Sequence, residues 1–321
     1  MGNSSFKLPK RQDQPKNDPS TYILSGPLKN AVEVALLLDQ PLILTGEPGT
    51  GKTQLAYKLA HDLHEQTKGD FGQFPLEFHT KTTTTAQDLF YQYDAIGHFR
   101  DSNINADAQA GSTSQYITLQ ALGKAIAMTN AEYISSKKSL IPDVKSPSSS
   151  VVLIDEIDKA PRDFPNDILN EIEQYKFRIK ELRQEVEKSD EKRILVIMTS
   201  NSEKSLPEPF LRRCVFYHIP FPEPEQLMEI VSKKVANIGE VPEDSVMDSI
   251  HHFMDIRTRV KKKMPATSEL ISWFHVLETE KFFENRVNFK DLTDTQKSIL
   301  KFSYSVLIKD KDDLFLMNSE D

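Results

Sequence analysis

The chain has one cysteine, Cys214, in 321 residues. A lone thiol excludes an intrachain disulfide and any cysteine-based zinc site. His61 and His64 share one helical face, but no further ligands accompany them, so they read as a surface pair rather than a metal site. No signal peptide opens the chain and no apolar run reaches membrane-spanning length, so the expected compartment is the cytosol and no membrane partner is expected. An excess of positive charge is also missing: 40 Lys and Arg face 48 Asp and Glu, a net charge of −8. That balance argues against nucleic acid as the main partner. The basic stretch 257–263 (RTRVKKK) has no interleaved aromatics and reads as a solvated face.

What is present is concentrated at residues 46–53, GEPGTGKT, which fit G-x-x-x-x-G-K-[ST]. The apolar run Pro41-Leu42-Ile43-Leu44-Thr45 precedes it, and a helical stretch from Gln54 to Ala60 follows. Strand, glycine loop and helix are the context in which backbone N–H groups close around phosphate oxygens. Gly46, Gly49 and Gly51 allow the turn, and Glu47, Pro48, Thr50 and Gln54 complete the expected binding stretch. Lys52 is placed to reach the β- and γ-phosphates, and Thr53 to hold Mg²⁺.

A second run, Val151-Val152-Leu153-Ile154, is continuous and β-branched, as expected of a buried parallel strand. It ends in Asp155-Glu156. Ligands bind beyond the carboxyl ends of such strands, so Asp155 is expected to hold Mg²⁺, directly or through water, and Glu156 to polarise an attacking water. A third run, Ile194 to Met198, ends in Thr199-Ser200-Asn201. An amide at Asn201 could orient that water if its strand lies between the other two.

Around these runs the spacing predicts helices over 27–38, 117–128 and 164–175, and a helical segment over 82–90. Strands are expected at Phe78–Lys81 and at Val215–Ile219, with a further short one at Phe177–Ile179. Residues 181–192 read as a charged hairpin or helix, and 101–114 and 136–150 as long polar loops. Five apolar strands separated by helices mean an α/β domain with a parallel sheet. The expected boundaries are a polar, basic tail over 1–20, an α/β core over 21–222, and an all-helical domain over 223–321 after the Pro220, Pro222, Pro224 break. Trp273 and Phe274 are expected in the core of that last domain.

In order, GEPGTGKT, VVLIDEIDKAP, VIMTSN and LPEPFLRRC resemble the motif series of an AAA+ ATPase, most closely the MoxR-type branch. The segment LPEPFLRRCVF is similar to the one that ends in an arginine finger, with Arg213 at the finger position. Residues 264–273, MPATSELISW, resemble the start of the lid helix that carries a second sensor. Many relatives have an arginine there. This chain has Ser268, with Arg257, Arg259 and Lys263 as nearby cations. The resemblance covers about residues 22–280.

The resemblance implies a P-loop NTPase (AAA+) fold, with a parallel-sheet α/β core and a C-terminal α-helical lid. It also implies Mg²⁺-dependent hydrolysis of ATP bound between neighbours in a homo-oligomeric, usually hexameric, ring. Arg213 would then act across the subunit boundary. The implied partner is a protein client that is remodelled or matured, of the kind that often carries a von Willebrand A domain. Two alternatives use the same motifs: a nucleotide-gated assembly scaffold with hydrolysis as a slow timer, and a nucleic-acid motor or GTP-dependent restriction subunit. The acidic charge counts against the second.

Overall fold

The computed structural model describes residues 18–104, 113–201 and 206–320. The tail expected over 1–20 lies outside the described residues through position 17, as does the expected polar loop over positions 105–112. The described residues form two compact units. One comprises residues 24–46 and 52–219. The other comprises residues 220–320 together with 18–23 and 47–51.

The first unit opens with α1 (Gly26–Leu38). Ser25 caps it by accepting from the Leu28 N–H at 3.4 Å, Pro27 suits its first turn, and Asp39 ends it in the left-handed region with φ 51°. Leu28, Val32 and Ala35 form its buried stripe. Then follow β1 (Leu42–Thr45), α2 (Lys52–Gln66), β2 (Leu76–His79), β3 (Tyr91–Tyr93), α3 (Ala95–Ile104), β4 (Ile117–Leu119), α4 (Ala121–Thr129), α5 (Ala131–Ser135) and β5 (Ser150–Asp155). After these come α6 (Phe164–Asp167), α7 (Leu169–Gln174), β6 (Lys176–Ile179), β7 (Gln184–Glu187), β8 (Ile194–Ser200), α8 (Glu208–Leu211) and β9 (Val215–His218).

Five strands make one parallel sheet in the order β2-β5-β8-β1-β9. Every residue of β1, β5 and β8 is buried, which is why their sequences are apolar without alternation. The edge strands β2 and β9 are only partly covered. The register sets Thr45 opposite Ser200 and His79 opposite Asp155. With His218 of β9 also opposite Thr45, all five strands bring polar residues to one carboxyl edge.

Two antiparallel pairs interrupt this frame. β3 pairs with β4, Tyr91 opposite Leu119, and β6 pairs with β7, Phe177 opposite Val186. The first corrects two expectations. Residues 117–119 are strand, and the helix begins only at Ala121. Residues 82–90 hold a short 3₁₀ turn, Ala86–Leu89, rather than a helix. The following chain docks backbone to backbone: a Cβ at Gly123 would lie 2.0 Å from the Phe90 carbonyl oxygen. Residues 101–104 also differ from expectation, because they continue α3. The 181–192 segment resolves as the second arm of the β6–β7 hairpin.

In the second unit, α9 (Pro224–Lys234), α10 (Glu243–Arg259), α11 (Thr267–Thr279), α12 (Asp294–Leu307) and α13 (Lys311–Glu320) enclose a core of Leu227, Ile250, Phe253, Trp273, Phe274 and Tyr304. The polar tips of Trp273 and Tyr304 have partners. Trp273 Nε1 donates to Ser303 Oγ at 2.8 Å, and His252 Nε2 and Tyr304 Oη lie 3.0 Å apart.

Candidate functional site at the carboxyl edge of the sheet

α2 starts directly after the glycine loop, and a helix N-terminus favours a bound anion. Lys52, its first residue, is buried, and its Nζ donates to the Gly46 carbonyl at 2.8 Å. The loop needs its glycines. Gly49 and Gly51 have φ of 78° and 87°, where L side chains are strained. A Cβ at Gly49 would also lie 2.9 Å from both Ala266 Cβ and Ser268 Oγ. Thr50 Oγ1 donates to the Glu47 carbonyl at 2.9 Å. The Glu47 carboxylate accepts from Arg257, while Pro48 is exposed and Gln54 half-buried.

Thr258, Arg259 and Lys261 to Lys263 are exposed, as expected of a solvated face, but Arg257 departs from that reading. It is buried within the second unit, stacks 3.6 Å from the Phe221 ring centroid, and donates to the Pro265 carbonyl at 2.5 Å. Phe221 is distant in sequence and Pro265 lies just past the basic run, and neither is charged, so local charge pattern could not show this.

Thr53 lies next to Lys52 on α2, and its Oγ1 donates to Asp155 Oδ1 at 3.0 Å. The same carboxylate oxygen accepts from Thr199 Oγ1 at 2.6 Å, and His79 Nδ1 stands 3.5 Å from Asp155 Oδ2. Glu156 follows with φ 56° and ψ 51°, a left-handed conformation that non-glycine residues rarely adopt. Its N–H donates to Thr199 Oγ1 at 2.8 Å, and its carbonyl accepts from Thr80 Oγ1. Its carboxylate pairs with Lys159, and that hydrogen bond raises the Lys159 pKa.

Lys52, Thr53, Asp155 and Glu156, foreseen from separate motifs, thus meet at one edge. Asn201 lies just past β8, where its backbone N–H donates to Asp158 Oδ1 at 3.3 Å. Arg213, after α8, is half-exposed and its Nε stands 3.9 Å from Glu173 Oε2 on α7. Cys214 is half-buried beside it, and burial pushes its thiol up to about 12. Sequence reasoning passed over Thr80, Thr199 and Lys159. Their signal was position alone: the residue after β2, the residue two before Asn201, and the residue three after Glu156.

Among the described residues no cluster of three or more His, Cys, Asp or Glu is placed to hold a metal by itself. One hydroxyl and one carboxylate at the loop suit a hard cation that takes its remaining oxygens from phosphates and water.

Residues 41–214 match the AAA domain family, dynein-related subfamily. The chain belongs to that family. It is accordingly an ATP-binding ATPase with a P-loop NTPase fold. Two solved structures illustrate the likeness. One is a threonine-to-valine variant of RuvB from Thermotoga maritima, at 17% identity over 91% of this chain and 70% of that one, TM-score 0.43. The other is the AAA domain of FIGL-1 in complex with ADP, at 15% identity over 94% of this chain and 88% of that one, TM-score 0.45. No curated protein matches the chain. Among the described residues, no helix is long and apolar enough to cross a membrane.

Proposed function

We propose that the chain is a Mg²⁺-dependent, ring-forming ATPase of the MoxR type that uses hydrolysis to remodel or mature a protein client in the cytosol. The observation that carries the chemistry is the 3.0 Å contact between Thr53 Oγ1 and Asp155 Oδ1, which joins the first turn of α2 to the Asp155–Glu156 strand end. In this reading the loop N–H groups from Glu47 to Gln54 and the Lys52 ammonium bind the triphosphate. Lys52 exchanges the Gly46 carbonyl for phosphate oxygens. Thr53 and Asp155 would hold Mg²⁺, which would neutralise charge on the phosphates. Glu156 polarises a water for in-line attack on the γ-phosphate, and Asn201 orients it. Arg213, on the surface after α8, reaches a neighbour's phosphates and supports the charge that develops there. The motif order and the family's usual oligomeric habit support the ring, and the MoxR resemblance supports a client bearing a von Willebrand A domain.

The test is capture. Glu156→Gln should bind ATP, retain it, and hold the client on the assembled ring. A variant that hydrolyses at the wild-type rate would remove Glu156 from the mechanism. A variant that retains ATP but stays monomeric and recovers no protein would remove the ring and the client.

One observation favours the scaffold reading, in which hydrolysis is a timer: the Glu156 carboxylate is engaged by Lys159. Client-stimulated turnover separates the two, since a remodeller accelerates on binding its client and a timer does not.

A further inference from the structure

The Asp155–Glu156 pair is gripped from both sides by two hydroxyls to which the reading above gives no role. Thr199 lies on β8 and is 1% exposed; Thr80 follows β2 and is 5% exposed. These two strands flank β5 in the sheet. The Thr199 hydroxyl accepts the Glu156 N–H at 2.8 Å and gives its single proton to Asp155 Oδ1 at 2.6 Å. The Thr80 hydroxyl shares its one proton between the Asp155 carbonyl at 3.1 Å and the Glu156 carbonyl, and the Thr80 N–H reaches the Asp155 carbonyl at 3.2 Å. The residue so held is the one with φ 56°. A left-handed glutamate at a strand end persists only where its surroundings over-determine it, and here two buried hydroxyls do so.

We propose that Thr80 and Thr199 are positioning residues for ATP hydrolysis. Together they lock the backbone turn that presents Glu156, and Thr199 also ties that turn to the carboxylate of Asp155. The proposal rests on the reading of Glu156 as the water-activating residue. It goes beyond that reading in making its geometry depend on the two neighbouring strands. Thr199 is also two residues from Asn201, so the same strand would set the distance between the base and the amide that share one water. A displaced base loses rate steeply, because attack requires near-ideal alignment.

The experiment compares wild type, Thr80→Val, Thr199→Val, Thr199→Ser and Glu156→Gln in full-length protein. It measures kcat, KM, affinity for a fluorescent ATP analogue, the Mg²⁺ concentration giving half-maximal rate, and the melting curve. Both valine variants should lose about tenfold or more in kcat while nucleotide affinity stays within about threefold. The Mg²⁺ requirement should rise in Thr199→Val and not in Thr80→Val, because only Thr199 touches the Asp155 carboxylate. Thr199→Ser restores the hydroxyl and should return most of the rate and the original Mg²⁺ requirement.

Wild-type kcat in folded valine variants, with only a lowered melting temperature, would overturn the proposal. If Thr199→Val does not fold, Thr80→Val decides, since its N–H bond to Asp155 survives the substitution. Loss of folding in both also overturns it, because the hydroxyls would then be structural. Glu156→Gln separates the two levels. If it turns over normally, the reading of Glu156 fails and the clamp with it. If it is inactive while both valine variants are normal, the clamp alone fails.

Discussion

Replacing Lys52 by alanine tests the phosphate loop with a magnitude that can be worked out beforehand. The ammonium is buried, 7% exposed, and bonded to the Gly46 carbonyl at 2.8 Å. In the proposed reading, nucleotide binding exchanges that bond for charge-assisted bonds to phosphate oxygens, each of about 1.5–3 kcal/mol. Two such bonds, less about 1 kcal/mol for the one given up, leave about 3 kcal/mol, or more than about a hundredfold in Kd. The fold itself should lose little. One bond of about 1 kcal/mol moves the melting point of a chain this size by only a few degrees. Calorimetric titration and thermal shift should be run together. At an ATP concentration about 100 times the wild-type Kd, the wild type gains about 2.7 kcal/mol of stability. At the same concentration Lys52→Ala sits near its own Kd and gains about 0.4 kcal/mol or less. An equal ATP-induced shift in both proteins would refute the assignment of Lys52. A collapse in the melting temperature of the nucleotide-free variant would refute the claim that the side chain's work is ligand-directed.

Arg213→Ala should bind ATP normally but slow hydrolysis by about 10³–10⁵, as loss of a finger does. Mixed with Glu156→Gln chains, it should regain activity at interfaces pairing an intact site with an intact finger. No recovery from verified mixed rings, with a lowered melting temperature for Arg213→Ala, would end the trans role. Cys214 should resist alkylation in the folded protein: with its thiol pushed up to about 12 by burial, it should react at pH 8 about a thousandfold slower than an ordinary thiol. Free-thiol rates under native conditions would contradict that burial. Asp70 is held below the usual carboxylate range by its hydrogen bond from Lys192, and then by Ser149. A depressed folded pKa contributes stability above the ordinary carboxylate pKa, lost as pH falls through the folded value. Asp70→Asn should therefore destabilise by about 1 kcal/mol or less near neutral pH, because the pair is partly exposed. The difference should shrink below about pH 4, and a pH-independent difference in melting temperature would show that the ionic form is irrelevant.

The phosphate loop packs against residues outside its own motif. Glu47 engages Arg257, and Gly49 has no room for a Cβ against Ala266 and Ser268. A residue as large as arginine at position 268 would have to find space where Ser268 Oγ now lies against Gly49. Ser268 and Arg257 both lie in the unit that holds residues 47–51 and 220–320, and each meets a residue of the loop there.

Sequence alone determined the features that obey local rules. Strands β1, β5 and β8 are buried on both faces, so each must be a continuous apolar run, and such runs stand out in a charged chain. The glycine loop requires positive φ at Gly49 and Gly51, and few other residue types can supply it. Lys52, Thr53, Asp155 and Glu156 were therefore legible as candidates before any strand was paired. Other features depend on partners far away in the chain. Strand β4 is three residues long, directly precedes a helix, and exists because Tyr91–Tyr93 pairs with it; no periodicity can be read from three residues. Arg257 lies in a basic run and is buried because Phe221 and Pro265 meet it in space. The left-handed turn at Glu156 has no glycine or asparagine to announce it. It is held by Thr80 and Thr199, which reach it only because the sheet sets β2 and β8 on either side of β5. A side chain's hydrogen-bond partner across a parallel sheet is decided by strand order and register, and both are settled only when the whole sheet assembles.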